Sequence, residues 1–313
     1  MKGRRPRNHV LALASPASLK GVLSAREAAA LLAVGLRRGG ANTEELPVAD
    51  GGEGTADVLG ARVLELVPVH DAFGRPSEAP IRALPDGTAV VEAAEVIPLD
   101  PMRLDPLAAS SHGLGTLIAR VEAERLLICL GGTANVDGGT GLREALRELP
   151  APTTVLCDAL VPLRDAARRF APQKGATPDQ VELFERRLAA MAELAPYAEL
   201  PGAGAAGGLG AALAALGAEL VPGAREVLRR LDFRRRASEA DLVVTGEGTV
   251  DETTLTGKAP GEVLRVCRQK GIRCVVFGGR VEAELAGAEI VALSGDPARA
   301  AADLEALGER LSG

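Results

Sequence analysis

The sequence predicts an α/β protein with a Rossmann-like parallel sheet domain, discontinuous in the chain, and a second, smaller α/β domain. Apolar runs of five or six residues recur along the 313-residue chain, which is typical of buried parallel strands. Segments with helix start and stop signals lie between several of these runs. Strand and helix units occur near both ends of the chain, which predicts that the Rossmann-like domain is built from separate segments.

Seven apolar runs are predicted as strands, because turn residues or charged residues bound them. They are residues 10–14, 88–93, 126–130, 153–157, 241–245, 273–277 and 288–293. Residues 64–98 contain short β-like pieces, separated by turns around Gly74 and Gly87, and show no good helix. This segment is predicted to belong to the smaller domain.

The helices are predicted from capping boxes, from proline at first helical positions and from terminal glycines. Ser24 with Glu27 gives the clearest start signal, and Thr177 with Gln180 gives another. The predicted helices span residues 25–38, 178–194, 209–220 and 260–270, and the last one begins at residue 297.

The domain boundaries follow from this distribution, and the length is sufficient for two domains of ~150 residues. Residues 1–63, 99–150 and 198–313 are assigned to the Rossmann-like domain. Residues 64–98 and 151–197 are assigned to the smaller domain.

Composition excludes several classes of protein. A net charge of −6 and an aromatic content of 2% give neither the positive surface nor the stacking residues of a nucleic-acid-binding protein. No apolar run approaches the ~20 residues that cross a bilayer, so no membrane association is expected. The basic residues 1–7 are not followed by the long apolar region of a secretion signal, which predicts a cytoplasmic location. The four cysteines lack metal-ligand spacing and are expected to be buried, reduced thiols.

Lysine is rare in this sequence, since only five of the 36 basic residues are lysines. Arginine cannot replace lysine where a compact ammonium group on a flexible stem is required. Lys20, Lys174 and Lys258 are therefore predicted to be functional. The alternative is that they are ordinary lysines on a solvated surface.

Five segments combine glycine with carboxylates or lysine close to the ends of apolar runs. They are residues 50–55, 131–139, 172–176, 202–210 and 245–258. Open α/β sheets bind ligands at such strand ends, where glycines let backbone N–H groups approach an anion. Each segment taken alone could equally be a tight turn between a strand and a helix.

Known phosphate-binding motifs do not match these segments. Lys258 fails the P-loop pattern, because Glu252 takes the place of the first glycine and Ala259 the place of the hydroxyl residue. Residues 202–207 match the dinucleotide glycine pattern only formally, since no strand precedes them. These glycines are expected to open the helix over 209–220 against a phosphate or a neighbouring backbone. The histidines are isolated, which disfavours a histidine metal site or a catalytic triad.

Together these segments resemble the bacterial glycerate kinase family that includes the galactarate- and glyoxylate-pathway enzymes. The resemblance extends over nearly the whole chain, and residues 47–55 and 201–208 carry its most specific motifs. It implies transfer of the γ-phosphoryl group of ATP, with Mg²⁺, to a hydroxyl of D-glycerate, and it favours 2-phosphoglycerate as the product. It also implies two domains that flank a cleft, a small-molecule substrate, and a monomer or homodimer.

The resemblance also implies roles for individual residues. Catalysis is assigned to Lys20, Asp50, Asp158, Lys174 and Asp251. ATP binding is assigned to Gly131, Gly132, Asn135, Gly204, Gly207, Gly208, Glu247 and Lys258, and Mg²⁺ binding to Asp137 and Asp158. Phosphoryl transfer needs such groups, because cations and amides stabilise the phosphoryl oxygens, and carboxylates hold the metal or accept the hydroxyl proton. The residues alone do not divide these roles, and Asp137 could instead cap the helix after its loop.

Five positions depart from the family pattern, and each departure removes a charge or an amide. They are Ala17, Val136, Val161, Thr249 and Thr253. The alternative is therefore a degenerate family member that binds a metabolite or nucleotide without efficient turnover.

Overall fold

The computed structural model describes residues 10–285 and 288–313, and the basic segment 1–7 and His9 lie outside the described residues. The described chain divides into two compact units. The split unit contains the residues up to Ala49 and those from Val227 onward, and the central unit is Asp50–Glu226. These boundaries differ from the predicted ones, because the strands within residues 62–92 continue the sheet of residues 126–157 and form no domain of their own.

The helices and strands follow one another along both units. In chain order they are β1 (Leu11–Ala14), α1 (Ala25–Arg38), β2 (Asn42–Glu45), α2 (Thr55–Val58), β3 (Arg62–His70), β4 (Pro76–Ala83), β5 (Ala89–Glu92), α3 (His112–Ile118), β6 (Leu126–Cys129), α4 (Thr140–Ala145), β7 (Thr153–Cys157), α5 (Ala166–Phe170), α6 (Pro178–Ala189), α7 (Ala205–Ala215), β8 (Glu219–Pro222), α8 (Gly223–Arg230), α9 (Phe233–Glu239), β9 (Leu242–Val250), α10 (Ala259–Lys270), β10 (Arg273–Val281), β11 (Glu289–Ala292) and α11 (Ala300–Ser312). All seven predicted strands coincide with observed ones, and the α/β class is confirmed.

The split unit contains a five-stranded parallel sheet with the strand order β11-β10-β9-β1-β2. Counted along the chain within this unit, the order is 2-1-3-4-5, which is a doubly wound arrangement. Ala12 of β1 pairs with Leu242 of β9, so strands from the two ends of the chain are neighbours. The predicted discontinuity is thereby confirmed. The order reverses between β1 and β9, where sheets of this type bind ligands.

Helices α1 and α11 cover one face of this sheet. Leu32 and Leu36 of α1 and Leu304 of α11 are fully buried, and they pack in one cluster with Val244 and Phe277 of the sheet. Apolar burial of this kind contributes most of the stability of a helix on a sheet.

The contact between α1 and α11 depends on Gly35. A methyl group added at Gly35 would lie 1.9 Å from the carbonyl oxygen of Glu305 in α11. Helix propensity alone would make a glycine-to-alanine change stabilising by ~1 kcal/mol. Because the clash is with backbone, we expect Gly35→Ala to lower the free energy of unfolding by ~1–3 kcal/mol in urea titrations. A stabilised variant would show that α11 moves away from α1 without cost.

The central unit contains a six-stranded mixed sheet with the order β3-β4-β5-β6-β7-β8. Strands β5 to β8 are parallel, and β3 and β4 form an antiparallel edge. Leu114 of α3, Leu142 of α4 and Leu209 of α7 cover one face of this sheet, with Ile128 and Val155 beneath them. The β-rich segment predicted for the smaller domain is therefore the edge of the central sheet.

The predicted helix over residues 209–220 ends earlier than expected. In α7, Ala206, Gly207 and Gly208 have left-handed backbone angles, and the regular helix follows them. Gly217, with φ 95°, then turns the chain into β8, which pairs with β7. The end at residue 220 is wrong because residues 219–222 extend the sheet.

Both predicted capping boxes are present. The Ser24 hydroxyl accepts from the Glu27 N–H over 3.2 Å, and the Glu27 carboxylate accepts from the Ser24 N–H over 2.8 Å. Thr177 begins α6 in the same way. This helix ends at Ala189, five residues before the predicted end, and a 3₁₀ segment, Ala192–Tyr197, follows it.

The four cysteines are buried and free, as predicted. Burial raises the pKa of the Cys157 thiol to about 12, so this thiol stays neutral. Within the described parts of the chain, no helix is both long enough and apolar enough to cross a membrane.

Candidate functional site

Lys174 is buried in the central unit, where two of the predicted glycine segments meet. It ends the 3₁₀ turn Pro172–Lys174, and only 3% of the residue is exposed. Its ammonium donates to the carbonyl of Asn135 over 2.6 Å and to the hydroxyl of Thr133 over 3.5 Å. Both acceptors belong to the loop that follows β6. The structure therefore brings together Lys174 and Asn135, which the sequence had placed in separate segments.

The environment of Lys174 changes its protonation. Burial lowers the pKa of Lys174 to about 8, from a usual 10.5, and the negative charges of Asp158 and Asp137 oppose this effect. The ammonium is therefore mainly protonated at neutral pH. A buried ammonium is costly for folding, and strongly shifted groups beside charged partners occur preferentially at functional sites.

Glycines keep the space beside Asp158 free of side chains. A methyl group at Gly131 would lie 3.0 Å from Asp158 Oδ2 and 2.6 Å from the Cα atom of Gly52. The Gly52 N–H donates to Asp50 Oδ1 over 3.3 Å, and the Gly131 N–H donates to the carbonyl of Gly51 over 3.3 Å. The predicted residues Asp50, Gly131 and Asp158 therefore lie in one region of the central unit.

Asp137 accepts hydrogen bonds on both carboxylate oxygens. Oδ2 accepts from the N–H and hydroxyl of Ser111 and from the N–H of Gly141. Oδ1 accepts from Asn135 Nδ2 and from the N–H of Gly139. A carboxylate offers about four acceptor positions, so these donors occupy them. This geometry fits the capping role more closely than the metal role, which stays a prediction.

The glycines of the predicted nucleotide-binding run lie against neighbouring backbone. A methyl group at Gly204 would lie 2.5 Å from the carbonyl oxygen of Pro162, and one at Gly207 would lie 2.4 Å from that of Asn135. At Gly208 it would lie 2.9 Å from the Cα atom of another glycine. Close packing of loops is therefore a sufficient reason for glycine at these positions, and their contact with ATP stays a prediction.

Lys258 lies between two carboxylates in the split unit. Its Nζ atom is 3.1 Å from Glu247 Oε2 and 3.4 Å from Asp251 Oδ1. The Thr254 hydroxyl donates to Glu247 Oε1 over 2.8 Å, and Thr253 donates to Asp251 through both its N–H and its hydroxyl. Three predicted residues, Lys258, Glu247 and Asp251, thus form one hydrogen-bonded cluster beside the N-terminus of α10.

This cluster combines two carboxyl groups with one ammonium group. Burial acts to raise the pKa of Asp251, but the hydrogen bonds from Thr253 and the charge of Lys258 outweigh it and lower the pKa. Asp251 therefore remains ionised at neutral pH. A phosphate group would have to compete with Asp251 and Glu247 for the Lys258 ammonium.

Lys20 lies on the exposed loop that follows β1 in the split unit. Its backbone nitrogen would be 3.7 Å from a methyl group added at Gly248 of β9. The hydroxyls of Ser15, just after β1, and Thr245, within β9, are buried and make no hydrogen bond to the residues that the structure describes. These polar groups lie where the strand order reverses.

Glu92 is a buried carboxylate that was not among the predicted site residues. It ends β5, is 3% exposed, and accepts from the N–H groups of Gly54 (3.0 Å) and Ala56 (2.5 Å). Burial raises the pKa of Glu92 to about 7, although both hydrogen bonds oppose the shift. The available signal was a charged residue inside the apolar run 88–93, where an unpaired carboxylate would be unfavourable.

Some departures from the family pattern have local roles. Val136 is 1% exposed and packs in a core with Leu163 and Phe184, whereas Thr253 holds Asp251. Ala17 donates its backbone N–H to the carbonyl of Gly246, which most residue types could do. Nothing in the structure explains Thr249. The predicted glycine at position 132 has a left-handed φ of 80°.

The fold and these clusters are those of an α/β protein with a small-molecule site, because lysines and carboxylates lie near the ends of parallel strands. The model of the glycerate kinase family matches residues 12–150 and 149–296 of the chain. The chain belongs to the glycerate kinase family, and it is a kinase.

Individual relatives agree with this assignment. The glycerate kinase of Bacillus subtilis (strain 168) is 34% identical over 324 residues, which cover 85% of this chain and 84% of the relative. The glycerate 2-kinase of Escherichia coli (strain K12) is 33% identical over 311 residues, with coverages of 82% and 81%. A crystal structure from Salmonella typhimurium LT2, described provisionally as glycerate kinase 2, has a TM-score of 0.78 and 29% identity. It covers 97% of this chain and 98% of its own.

Proposed function

We propose that this kinase transfers the γ-phosphoryl group of ATP to D-glycerate, with Mg²⁺, and forms 2-phosphoglycerate. The observation that carries the proposal is the buried Lys174 ammonium, whose charge interacts with Asp158. The name of the Escherichia coli relative, glycerate 2-kinase, supports phosphorylation at the 2-hydroxyl.

The residues of the central unit supply the groups that phosphoryl transfer needs. Negative charge on the transferred group is stabilised most strongly by a fixed cation in a site that excludes water. Lys174 provides such a cation, because its ammonium is held by the loop after β6. We assign Asp50 to accept the proton of the attacking hydroxyl, since its loop lies against Gly131 and near Asp158.

Asp158 is the residue that we assign to Mg²⁺, which when bound would neutralise phosphate charge. In the part of the chain that the structure describes, no group of three or more His, Cys, Asp or Glu side chains could hold a metal by itself. This fits Mg²⁺, which usually binds through one or two carboxylates together with substrate phosphates. A methyl group at position 131 would lie 3.0 Å from Asp158 Oδ2, so glycine is the residue that fits beside this carboxylate.

We assign Lys20, Glu247 and Lys258 of the split unit to the phosphates of ATP. The reversal of strand order between β1 and β9 supports a ligand site there, and α10 adds the positive end of a helix dipole. Asp251 is assigned to hold Lys258 in place.

The alternative is a degenerate family member that binds a metabolite or nucleotide without efficient turnover. The departures that favour it are Ala17, Val136, Val161, Thr249 and Thr253. Purified protein should convert D-glycerate and MgATP to phosphoglycerate, with the phosphorylated position identified by ³¹P NMR. Calorimetry with each ligand should accompany the assay. Binding without product would support the alternative, and turnover of another hydroxy acid would change the substrate but retain the kinase.

Lys258→Arg tests the role assigned to the split unit. Arginine keeps the charge, but its larger, planar head group cannot take the place of an ammonium that lies within 3.1–3.4 Å of two carboxylates. We expect kcat/KM for ATP to fall at least ~10-fold, with little change in melting temperature. Wild-type kinetics in this variant would remove Lys258 from the site.

A further inference from the structure

The loop of residues 50–55 presents Asp50, and its first residues are held by close backbone packing. The Gly51 carbonyl accepts from the N–H of Gly131 over 3.3 Å. A methyl group added at Gly223 would lie 2.0 Å from the carbonyl oxygen of Asp50, so the start of α8 lies directly on the loop backbone. The first part of this loop is therefore fixed by the ends of neighbouring elements.

The last residues of the loop are held by Glu92. Its two carboxylate oxygens accept separately from the N–H groups of Gly54 and Ala56, at the start of α2. Helix starts leave such N–H groups without intrahelical partners, and the residue before α2, Gly54, has no side chain to satisfy them. Gly54 also has a left-handed φ of 81°. A carboxylate from β5, 36 and 38 residues away, performs the capping instead.

We propose that Glu92 is a positioning residue for phosphoryl transfer, because its carboxylate holds the Gly54 and Ala56 N–H groups and so fixes the loop that presents Asp50. This inference rests on the proposed function. In its ionised form the carboxylate is suited to the task, because it then only accepts hydrogen bonds and faces two donors. Packing alone would be served at least as well by an apolar residue, since a buried charge is costly.

Glu92→Gln is the most direct test, because the amide keeps the shape but directs a donor toward one of the two N–H groups. We expect kcat with D-glycerate to fall ~10- to 100-fold, because the loosened loop no longer holds Asp50 in its reactive position. The KM for ATP should stay within about twofold of the wild-type value. Hydrogen exchange in residues 50–56 should accelerate. A wild-type kcat in a folded Glu92→Gln protein would overturn the proposal.

Glu95→Gln is the matched control. Glu95 is a nearby carboxylate that forms an ion pair with Arg82 at the edge of the sheet and is not a partner of the loop N–H groups. It should keep wild-type kcat and exchange. Equal losses in the Glu92 and Glu95 variants would reduce Glu92 to a general stabilising role and overturn the proposal.

A second variant covers the case in which Glu92→Gln does not fold. Glu92→Asp keeps the charge but is one methylene shorter, so it should reach one N–H group and give an intermediate kcat. Wild-type protein that does not phosphorylate glycerate would reject the proposed function alone. Hydrogen exchange in the Glu92 variants would then test the role of Glu92. Faster exchange confined to residues 50–56 would support Glu92 as the residue that holds this loop, and unchanged exchange would overturn that role.

Discussion

Lys174→Met is expected to lower kcat by ~10²- to 10³-fold while leaving the melting temperature nearly unchanged. The ammonium is buried, so its charge acts in a medium that screens it poorly, and a methionine of similar length cannot replace that charge. Folding should tolerate the change, because removing a costly buried cation offsets the loss of a donor to the Asn135 carbonyl. Steady-state kinetics and calorimetric melting measure the two effects separately.

The pH dependence of Lys174 has opposite signs for activity and stability. The protonated form is needed, so kcat should decline as the pH rises through about 8, the pKa of the folded protein. The unfolded chain keeps this proton up to about 10.5, so it binds more protons than the folded chain between these values. This group therefore makes stability increase with pH across that window. Lys174→Met should lack both trends: its kcat should not decline as the pH rises through about 8, and its stability should not increase with pH across that window.

Lys270→Met is the control for these measurements. Lys270 lies exposed in the last turn of α10, and it should tolerate methionine with unchanged kcat and pH profile. If Lys174→Met retained wild-type kcat, the ammonium would have no part in phosphoryl transfer. The scarcity of lysine would then no longer support the prediction that the remaining lysines are functional.

Apart from β11, which is only partly buried, the strands that the sequence predicts have largely buried apolar runs, because strands buried on both faces are continuously apolar. Residues 126–129 are an example, and all four are buried. β2 escapes this signal because its sequence, Asn-Thr-Glu-Glu, lies at the edge of the sheet and contains no apolar residue. Apolar runs also do not predict the domain boundaries, because they do not reveal which strands pair. Arg82 of β4 pairs with Val90 of β5, and this pairing joins the antiparallel edge to the parallel strands.

Some residues of the candidate site can likewise be predicted from the sequence, and others cannot. Lys174 and Lys258 stand out in the sequence because arginine supplies almost every other positive charge, and both lie in polar clusters. Glu92 does not stand out, because its partners are backbone N–H groups more than thirty residues away and carry no side-chain signature. Asp137 and Asp158 look alike in sequence, since both follow a buried strand. The donors that surround Asp137 distinguish them only in three dimensions.

Asp158→Asn and Asp137→Asn should therefore fail in different ways. We expect Asp158→Asn to lose ~10²- to 10³-fold in kcat and to require more Mg²⁺ for half-maximal activity, with a melting temperature close to that of wild type. Asp137→Asn removes an acceptor from the donors of Ser111, Gly139 and Gly141 and should lower the free energy of unfolding by ~1–3 kcal/mol.

The measurements are Mg²⁺ titrations of activity and urea unfolding of both variants. The reversed pattern would be an altered Mg²⁺ dependence in Asp137→Asn and a loss of stability in Asp158→Asn. It would make Asp137, in the loop after β6, the Mg²⁺ ligand and Asp158 the structural residue. Loss of stability without a change in Mg²⁺ dependence in both variants would leave neither aspartate as a ligand. Asp158 is the expected ligand because the acceptor positions of the alternative carboxylate, Asp137, are already occupied by donors of the protein.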